Sequence, residues 1–457
     1  MELAPIHIPD TLKRAARILS DASFQCWLVG GAIRDGLLGR ESYDYDLATD
    51  AAPGDVIRLF RRTIPTGIKH GTVSIMLGKY RFETTSFRQD GPYSDGRRPD
   101  RVSFSESIDG DLARRDFTIN AMAWDLVNSR FFDPHGGRED LKKELIRAIG
   151  NPQERLREDG LRSIRACRLA SQLKFHIHPA TLEAISETRS SIEALSVERI
   201  WEEFKKILQT EKPSVSFLLF KQTGLIEVLF PEFALEAGGE TDFSTCLRAC
   251  DSANPEDFSL RAAALFHGLG LSAHPARGRD TPSRSVDMAL SILRRYKASK
   301  SESGRIIDLL GNLHFRYSED WSDAEVRRFV SRIGAGQVYN LMELKQAIAR
   351  ASLSSKFPSV SSVPNGNSAN RAALPENLEQ LQNLSERVKL IIESNNPLAI
   401  GDLAIDGNQI MDKCRIEAGP KLGKLLQFLL ECVLENPREN SYNQLLRRSR
   451  SWLNEHP

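Results

Sequence analysis

The sequence predicts an α+β protein: a small mixed sheet with helices at the N-terminal end, then an all-α remainder. Up to about residue 146, short apolar runs such as FQCWLV, GTVSIML and YRFETTSF alternate with helical stretches. From about residue 147, the amphipathic runs EDGLRSIRACRLASQL, SVERIWEEFKKILQ and GKLLQFLLECVLEN follow helical spacing instead. At 457 residues the chain also exceeds one ordinary hydrophobic core, so several units are expected.

The elements follow in order. Residues 10–22 carry apolar positions at helical spacing after Asp10, a candidate cap, and FQCWLV reads as a buried strand. Gly30 and Gly31 turn the chain into a short helix over Arg34 to Leu38. Tyr43 to Ala48 alternate as a strand, Asp55 to Arg62 are helical, and two further strands flank Gly78. Residues 352–374 are rich in Ser, Asn and Pro and are expected to be a flexible insertion.

Composition narrows the class. With 40% hydrophobic and 27% charged residues the chain is globular, and no apolar run approaches the roughly 20 residues of a membrane span. The N-terminus lacks the basic-then-apolar layout of a signal peptide, so a cytoplasmic protein without membrane association is expected. The six cysteines are scattered, as free thiols of a reducing compartment would be. A net charge of +1 argues neither for nor against nucleic acid, which responds to local patches such as Arg294-Arg295 with Lys297 and Lys300.

Asp44 and Asp46 carry the first chemical signal. Alternate residues of a strand share a face, so the two carboxylates project together, about 7 Å apart, and can share Mg2+, which prefers oxygen ligands. Glu83, on a strand that can pair beside the first, is the candidate third acid. A lone Asp-x-Asp is equally at home in a turn or a surface strand. Gly30 and Gly31, between a buried strand and a helix, add exposed amides at a helix N-terminus, where phosphate oxygens bind, and Arg34 adds a charged clamp. A glycine pair by itself also fits a tight turn or a helix C-cap.

LVGGAIRDGLLG followed by YDYDLATD resembles the signature of the class II tRNA nucleotidyltransferase and poly(A) polymerase family. His70-Gly71-Thr72, FETTSFRQD, DLARRDFTINAMAWD, DPHGGREDL and IRAIGNPQERLREDGLRSIRACRLA then occur in family order, so the resemblance covers residues 26–175. It implies a nucleotidyltransferase-fold head over 1–146 and a neck with a base-template helix over 147–210. A helical body over 211–350, the insertion over 351–375 and a helical tRNA-binding tail over 376–457 would complete the chain.

The resemblance also implies roles. Gly31 and Arg34, with Gly30 beside them, match triphosphate contacts, Asp44 and Asp46 the magnesium ligands, Arg115 a nucleotide contact, and Asp116 a residue linked to ribose recognition. Without the family, Arg114-Arg115-Asp116 reads equally as a surface salt-bridge cluster. Asp159 and Arg162 match a protein template for the incoming base. Three residues apart on a helix, an acceptor and a two-pronged donor would meet one base edge; the alternative is an intrahelical ion pair. Arg165 and Arg168 match further nucleotide-contacting arginines, although the helical drift of about 60° per three-residue step suits Arg168 to phosphate or structural work.

The polar loop over residues 88–99 resembles one that the family ties to the switch from CTP to ATP. His267 lies where some relatives carry a metal-binding His-Asp pair, but Gly268 follows it, so that region is expected to be degenerate. Gly419-Pro420-Lys421-Leu422-Gly423 before a long helix resembles the tail of the family's CCA-adding branch. The implied reaction is addition of CMP and AMP to a tRNA 3′ end from CTP and ATP, releasing pyrophosphate by a two-metal mechanism. Addition of only A or only CC, or poly(A) synthesis, are the alternatives. The implied partners are the tRNA acceptor arm, CTP and ATP, with oligomeric state left open.

Overall fold

A computed structural model describes residues 8–41, 44–68, 71–78, 80–90, 102–104, 107–234, 240–269, 281–353 and 378–456. His70, most of the polar loop over 88–99 and most of the insertion over 351–375 lie outside the described residues. The chain forms two compact units, residues 1–235 with 295–297, and residues 236–294 with 298–457.

In the first unit, α1 (Asp10–Asp21) buries Leu12, Ala15, Ala16 and Leu19 along one face, as its spacing requires. Pro9 occupies its N-cap and Asp10 is the first helical residue, where its charge faces the positive helix end rather than capping it. β1 (Trp27–Val29) is buried throughout, and Gly30 (φ 78°) ends it and caps α2 (Gly31–Leu37), which therefore starts three residues before Arg34. β2 spans Tyr45–Thr49, followed by α3 (Pro53–Leu59), β3 (Thr63–Gly67), β4 (Thr72–Leu77) and β5 (Tyr80–Ser86).

Two short strands, β6 (Arg88–Asp90) and β7 (Val102–Phe104), pair separately. Then come α4 (Ile108–Ala113), β8 (Ala123–Asp125), β9 (Arg130–Phe132) and α5 (Gly137–Lys142). The main sheet has the order β3-β4-β5-β2-β1-β8-β9. Only β2 and β5 run parallel within it, because the other neighbours pair antiparallel. That crossover sets Asp46 directly beside Glu83, while the β1–β2 ladder sets Val29, the residue before Gly30, beside Asp46. Trp27, Val29, Ala48, Phe87 and Leu112 belong to the core that carries this end of the sheet.

Helices follow: α6 (Pro152–Glu158), α7 (Leu161–Leu173), α8 (Pro179–Glu187), α9 (Val197–Leu208) and α10 (Pro213–Thr223). The two-residue strands β10 (Leu145–Ile146) and β11 (His176–Ile177) pair in parallel and tie α7 back to the head. Phe204, Phe217 and Phe230 pack ring against ring beneath α9 and α10.

In its described part the second unit is helical. Ser299 with Glu302, and Ser322 with Glu325, form capping boxes that start the helices Lys300–Asn312 and Asp323–Ile333. At its end the helix Pro420–Glu435 starts with Gly419-Pro420, as expected, and buries Leu425, Leu429 and Val433 against Ile410 and Leu445. All six cysteines are free.

Candidate active site

The site grows from the turn after β1. A Cβ on Gly30 would sit 3.1 Å from Arg115 Nη1 and 3.4 Å from Asp46 Oδ2, and its φ of +78° is costly for any other residue. Glycine thus lets a cation and a carboxylate close over the first turn of α2. Burial pushes the Asp46 carboxyl up to about 6, with Arg115 pulling against it and Asp44 and Glu83 adding to it. Asp44 lies one residue before β2, not inside it, and is exposed.

Glu83 has the register expected of a third acid, but Arg81 Nη2 holds its carboxylate at 3.1 Å. Among the described residues no group of three His, Cys, Asp or Glu is close enough to hold a metal ion. The donor chemistry nevertheless suits Mg2+. The donors are all oxygen, and a carboxylate raised first by burial and then by Asp44 and Glu83 is one that a divalent cation would stabilise in its charged form.

Arg34 is buried and already committed. Its Nε and Nη2 donate to Asp35 at 2.9 and 2.8 Å, and its Nη1 donates to Asn120 Oδ1 at 2.7 Å. Arg115 is likewise anchored, by Asp111, a carboxylate only 1% exposed that also takes Arg114. Burial would raise Asp111, but Arg115 and Arg114 outweigh it and hold the acid below its ordinary range. Asp116 accepts from the Phe117 amide at 2.8 Å, from Asn120 Nδ2 at 3.0 Å and from Arg165 Nη2 at 2.8 Å. Burial pushes its carboxyl up, yet Arg165 and these hydrogen bonds bring it down to about 2.

The template segment departs from expectation. Asp159 and Arg162 do not share a helix: α6 ends at Glu158, Asp159 is extended, and α7 begins at Leu161. The chain leaves the helical region at Asp159 (φ −148°, ψ 102°), whose carboxylate takes the Leu161 amide at the start of α7. Gly160 lets the chain pass the Ser191 turn, where a Cβ would fall 2.7 Å from the Ser191 carbonyl oxygen. Asp159 accepts from Arg199 at 2.7 Å and from the Leu161 amide at 3.1 Å. Arg162 donates to Glu158 at 2.6 Å and to the carbonyls of Arg155 and Arg114 at 2.7 and 3.1 Å.

Arg165 meets Asp116, whereas Arg168 turns to the buried Glu203 at 2.6 Å and to Gln172 at 2.6 Å. The structure therefore brings Gly30, Asp46 and Arg115 together and joins Arg34 to Asp116 and Arg165. It leaves Arg168 in a packing role. Asp111, Asn120, Arg199 and Glu203 support the site without having been singled out in the sequence. The i+3 and i+4 spacing of Asp111 to Arg114 and Arg115 is the signal that marks the first.

This sheet and this carboxylate end define a nucleotidyltransferase head followed by helices. Residues 26–147 match the family model of the poly(A) polymerase head domain, and residues 174–236 one described as "Probable RNA and SrmB- binding site of polymerase A". A CCA-adding enzyme of Lactobacillus johnsonii is 42% identical over 443 residues, covering 95% of this chain and 96% of its own. One of Lactobacillus helveticus is 44% identical over 230 residues, but there the chain spans only 57% of the relative's length. Among solved structures, the Bacillus stearothermophilus CCA-adding enzyme in complex with CTP is 27% identical, with a TM-score of 0.73 over 98% of both chains. The Thermotoga maritima CCA-adding enzyme complexed with tRNA shares the fold, at 19% identity and a TM-score of 0.55 over 97% of this chain and 95% of its own. The chain belongs to the CCA-adding enzyme family.

Proposed function

We propose that this chain adds CMP and AMP to the 3′ end of tRNA, using CTP and ATP and releasing pyrophosphate, in the cytoplasm. The carrying observation is a carboxylate end intact in a chain that aligns almost from end to end with a CCA-adding enzyme. In this reading the tRNA 3′-hydroxyl attacks the α-phosphate, and the protein contributes position and charge rather than covalent chemistry. Asp44 and Asp46 would hold Mg2+ ions, with Glu83 as helper once its carboxylate leaves Arg81. When bound, Mg2+ supplies activation of the hydroxyl and neutralisation of the leaving oxygen.

The remaining work belongs to the chain itself. The amides of Gly30 and Gly31 receive the triphosphate at the start of α2 together with the side chain of Arg34, which exchanges its hold on Asp35 for phosphate. Arg115 contacts the nucleotide from across Gly30, and Asp116 faces the sugar. Asp159 and Arg162 read the base, but from two sides of a helix break rather than along one helix face, exchanging their hold on Arg199 and Glu158 for the base edge. Cytosine and adenine both offer an amino donor next to a ring acceptor, which one acid and one arginine can match. The helical second unit would grip the acceptor arm through phosphates and shape, as duplex RNA demands.

The test is extension of tRNA transcripts ending before the first C, after CC, or complete, with CTP and ATP supplied singly and together. Two residues from CTP and one from ATP are expected. Addition of A alone, of CC alone, or of long adenylate tails to unrelated RNA contradicts the reading and assigns the alternative instead.

A further inference from the structure

Asn120 links two of the contacts just described. Its amide oxygen accepts from Arg34 Nη1 at 2.7 Å, and its amide nitrogen donates to Asp116 Oδ1 at 3.0 Å. The side chain is 6% exposed, so water competes weakly for either bond. Its orientation is chemically forced. Arg34 has only donors and an ionised Asp116 only acceptors, so one rotamer of the amide satisfies both and the flipped one satisfies neither. The other Asp116 oxygen carries Arg165, which extends the chain of contacts to α7.

The backbone beneath Asn120 is pinned. Thr118 Oγ1 donates to the buried Asp140 Oδ2 at 2.7 Å, and Arg147 Nε closes on the same oxygen at 3.0 Å. A Cβ on Gly137 would fall 2.2 Å from the Thr118 carbonyl oxygen, so α5 touches the turn that carries Asn120. The Asn120 side chain is thus held between Arg34 and Asp116 on a backbone that is itself anchored.

We infer that Asn120 is a positioning residue that couples the triphosphate contact of Arg34 to the sugar contact of Asp116. The inference rests on the nucleotide-binding reading of Arg34 and Asp116. A side chain with a merely structural role would weaken every ligand alike. A coupling residue changes how the protein tells a ribose from a deoxyribose, and its effect vanishes once Arg34 is gone.

Equilibrium binding of CTP and dCTP to the full-length chain, its Arg34→Ala and Asn120→Ala variants and the double variant tests this. Thermal unfolding of each variant confirms the fold. Each single substitution is expected to weaken CTP about tenfold, the scale of a hydrogen bond to a charged group. The double variant should bind within about threefold of Arg34→Ala, because coupled sites are not additive. The preference for CTP over dCTP should fall in Asn120→Ala. Multiplying losses in the double variant, or an Asn120→Ala chain that keeps wild-type affinity and preference, overturn the inference alone. An Arg34→Ala chain with full CTP affinity overturns it together with the reading of the site.

Asn120→Asp serves where the alanine variant does not fold. It keeps an acceptor for Arg34 but sets a second carboxylate against Asp116, so it should lose less CTP affinity than Arg34→Ala while losing the CTP preference. Retained preference with lost affinity overturns the inference.

Discussion

The carboxylate end of the sheet and the arginine row of α7 treat charge in opposite ways. On the sheet, Asp46 is partly exposed, and its carboxyl is pushed up to about 6 chiefly by loss of solvent, against the pull of Arg115. Along α7, each of the three arginines already meets an acid: Arg162 with Glu158, Arg165 with Asp116, Arg168 with Glu203. A carboxylate raised by burial is one that a cation from outside would stabilise. A balanced cluster is preorganised and serves position more than attraction. The comparison teaches that one unit can match its charges pair by pair within the fold at one place and hold a carboxylate raised by burial at another.

The largest way to break it is Asp46→Ala. Loss of the cation site should lower nucleotide addition on the order of 10³-fold, the scale of several kcal/mol for metal catalysis, while thermal unfolding stays close to wild type. Full activity in an extension assay contradicts the assignment. The counterpart in the balanced region is Glu203→Ala, which leaves the buried Arg168 without its main acid partner. Unfolding in denaturant should show a loss of about 3–5 kcal/mol; a loss below about 1 kcal/mol would place Arg168 among surface charges instead.

Asp116 sharpens the contrast through pH. Its folded value of about 2 lies below the ordinary 3.8, so its contribution to stability is complete above about pH 4 and is lost as pH falls through 2. The contribution is about 2–3 kcal/mol, and Asp116→Asn should flatten that part of the acid unfolding curve. An unchanged acid limb in the variant would mean that Arg165 is not its partner in solution. The smallest effect belongs to Arg81→Ala. Its pair with Glu83 is about half exposed on both sides, so stability should move by less than about 1 kcal/mol in denaturant unfolding.

Much of this was legible in the sequence, for physical reasons that differ by residue. Gly30 and Asp46 declare themselves because backbone freedom and strand periodicity are local properties, whereas Asp44, expected on the same strand face, falls one residue before the strand. The pairing of β2 with β5 was readable as a possibility, and the register puts Asp46 opposite Glu83. The break at Asp159 was not readable. Asp159 and Arg162 fit helical spacing, but Asp159 turns out of the helix to cap α7 and meet Arg199, 40 residues away in sequence. Asn120 sat within a recognised motif, but its partner Arg34 lies 86 residues away, and no local pattern encodes that bond. Asp10 shows the local limit: an acid before a helical run reads as a cap, yet the fixed φ of Pro9 suits the flanking position and shifts the helix start by one.

The central claim is that the sheet end is completed by a cation and the α7 end is not. Thermal unfolding of the full-length chain with CTP, titrated with Mg2+ from an EDTA-treated state, tests it most directly when wild type, Asp46→Asn and Glu203→Gln are compared. Wild type and Glu203→Gln should gain stability with Mg2+ by the same increment, and Asp46→Asn should gain little. Equal gains in all three chains would contradict the account.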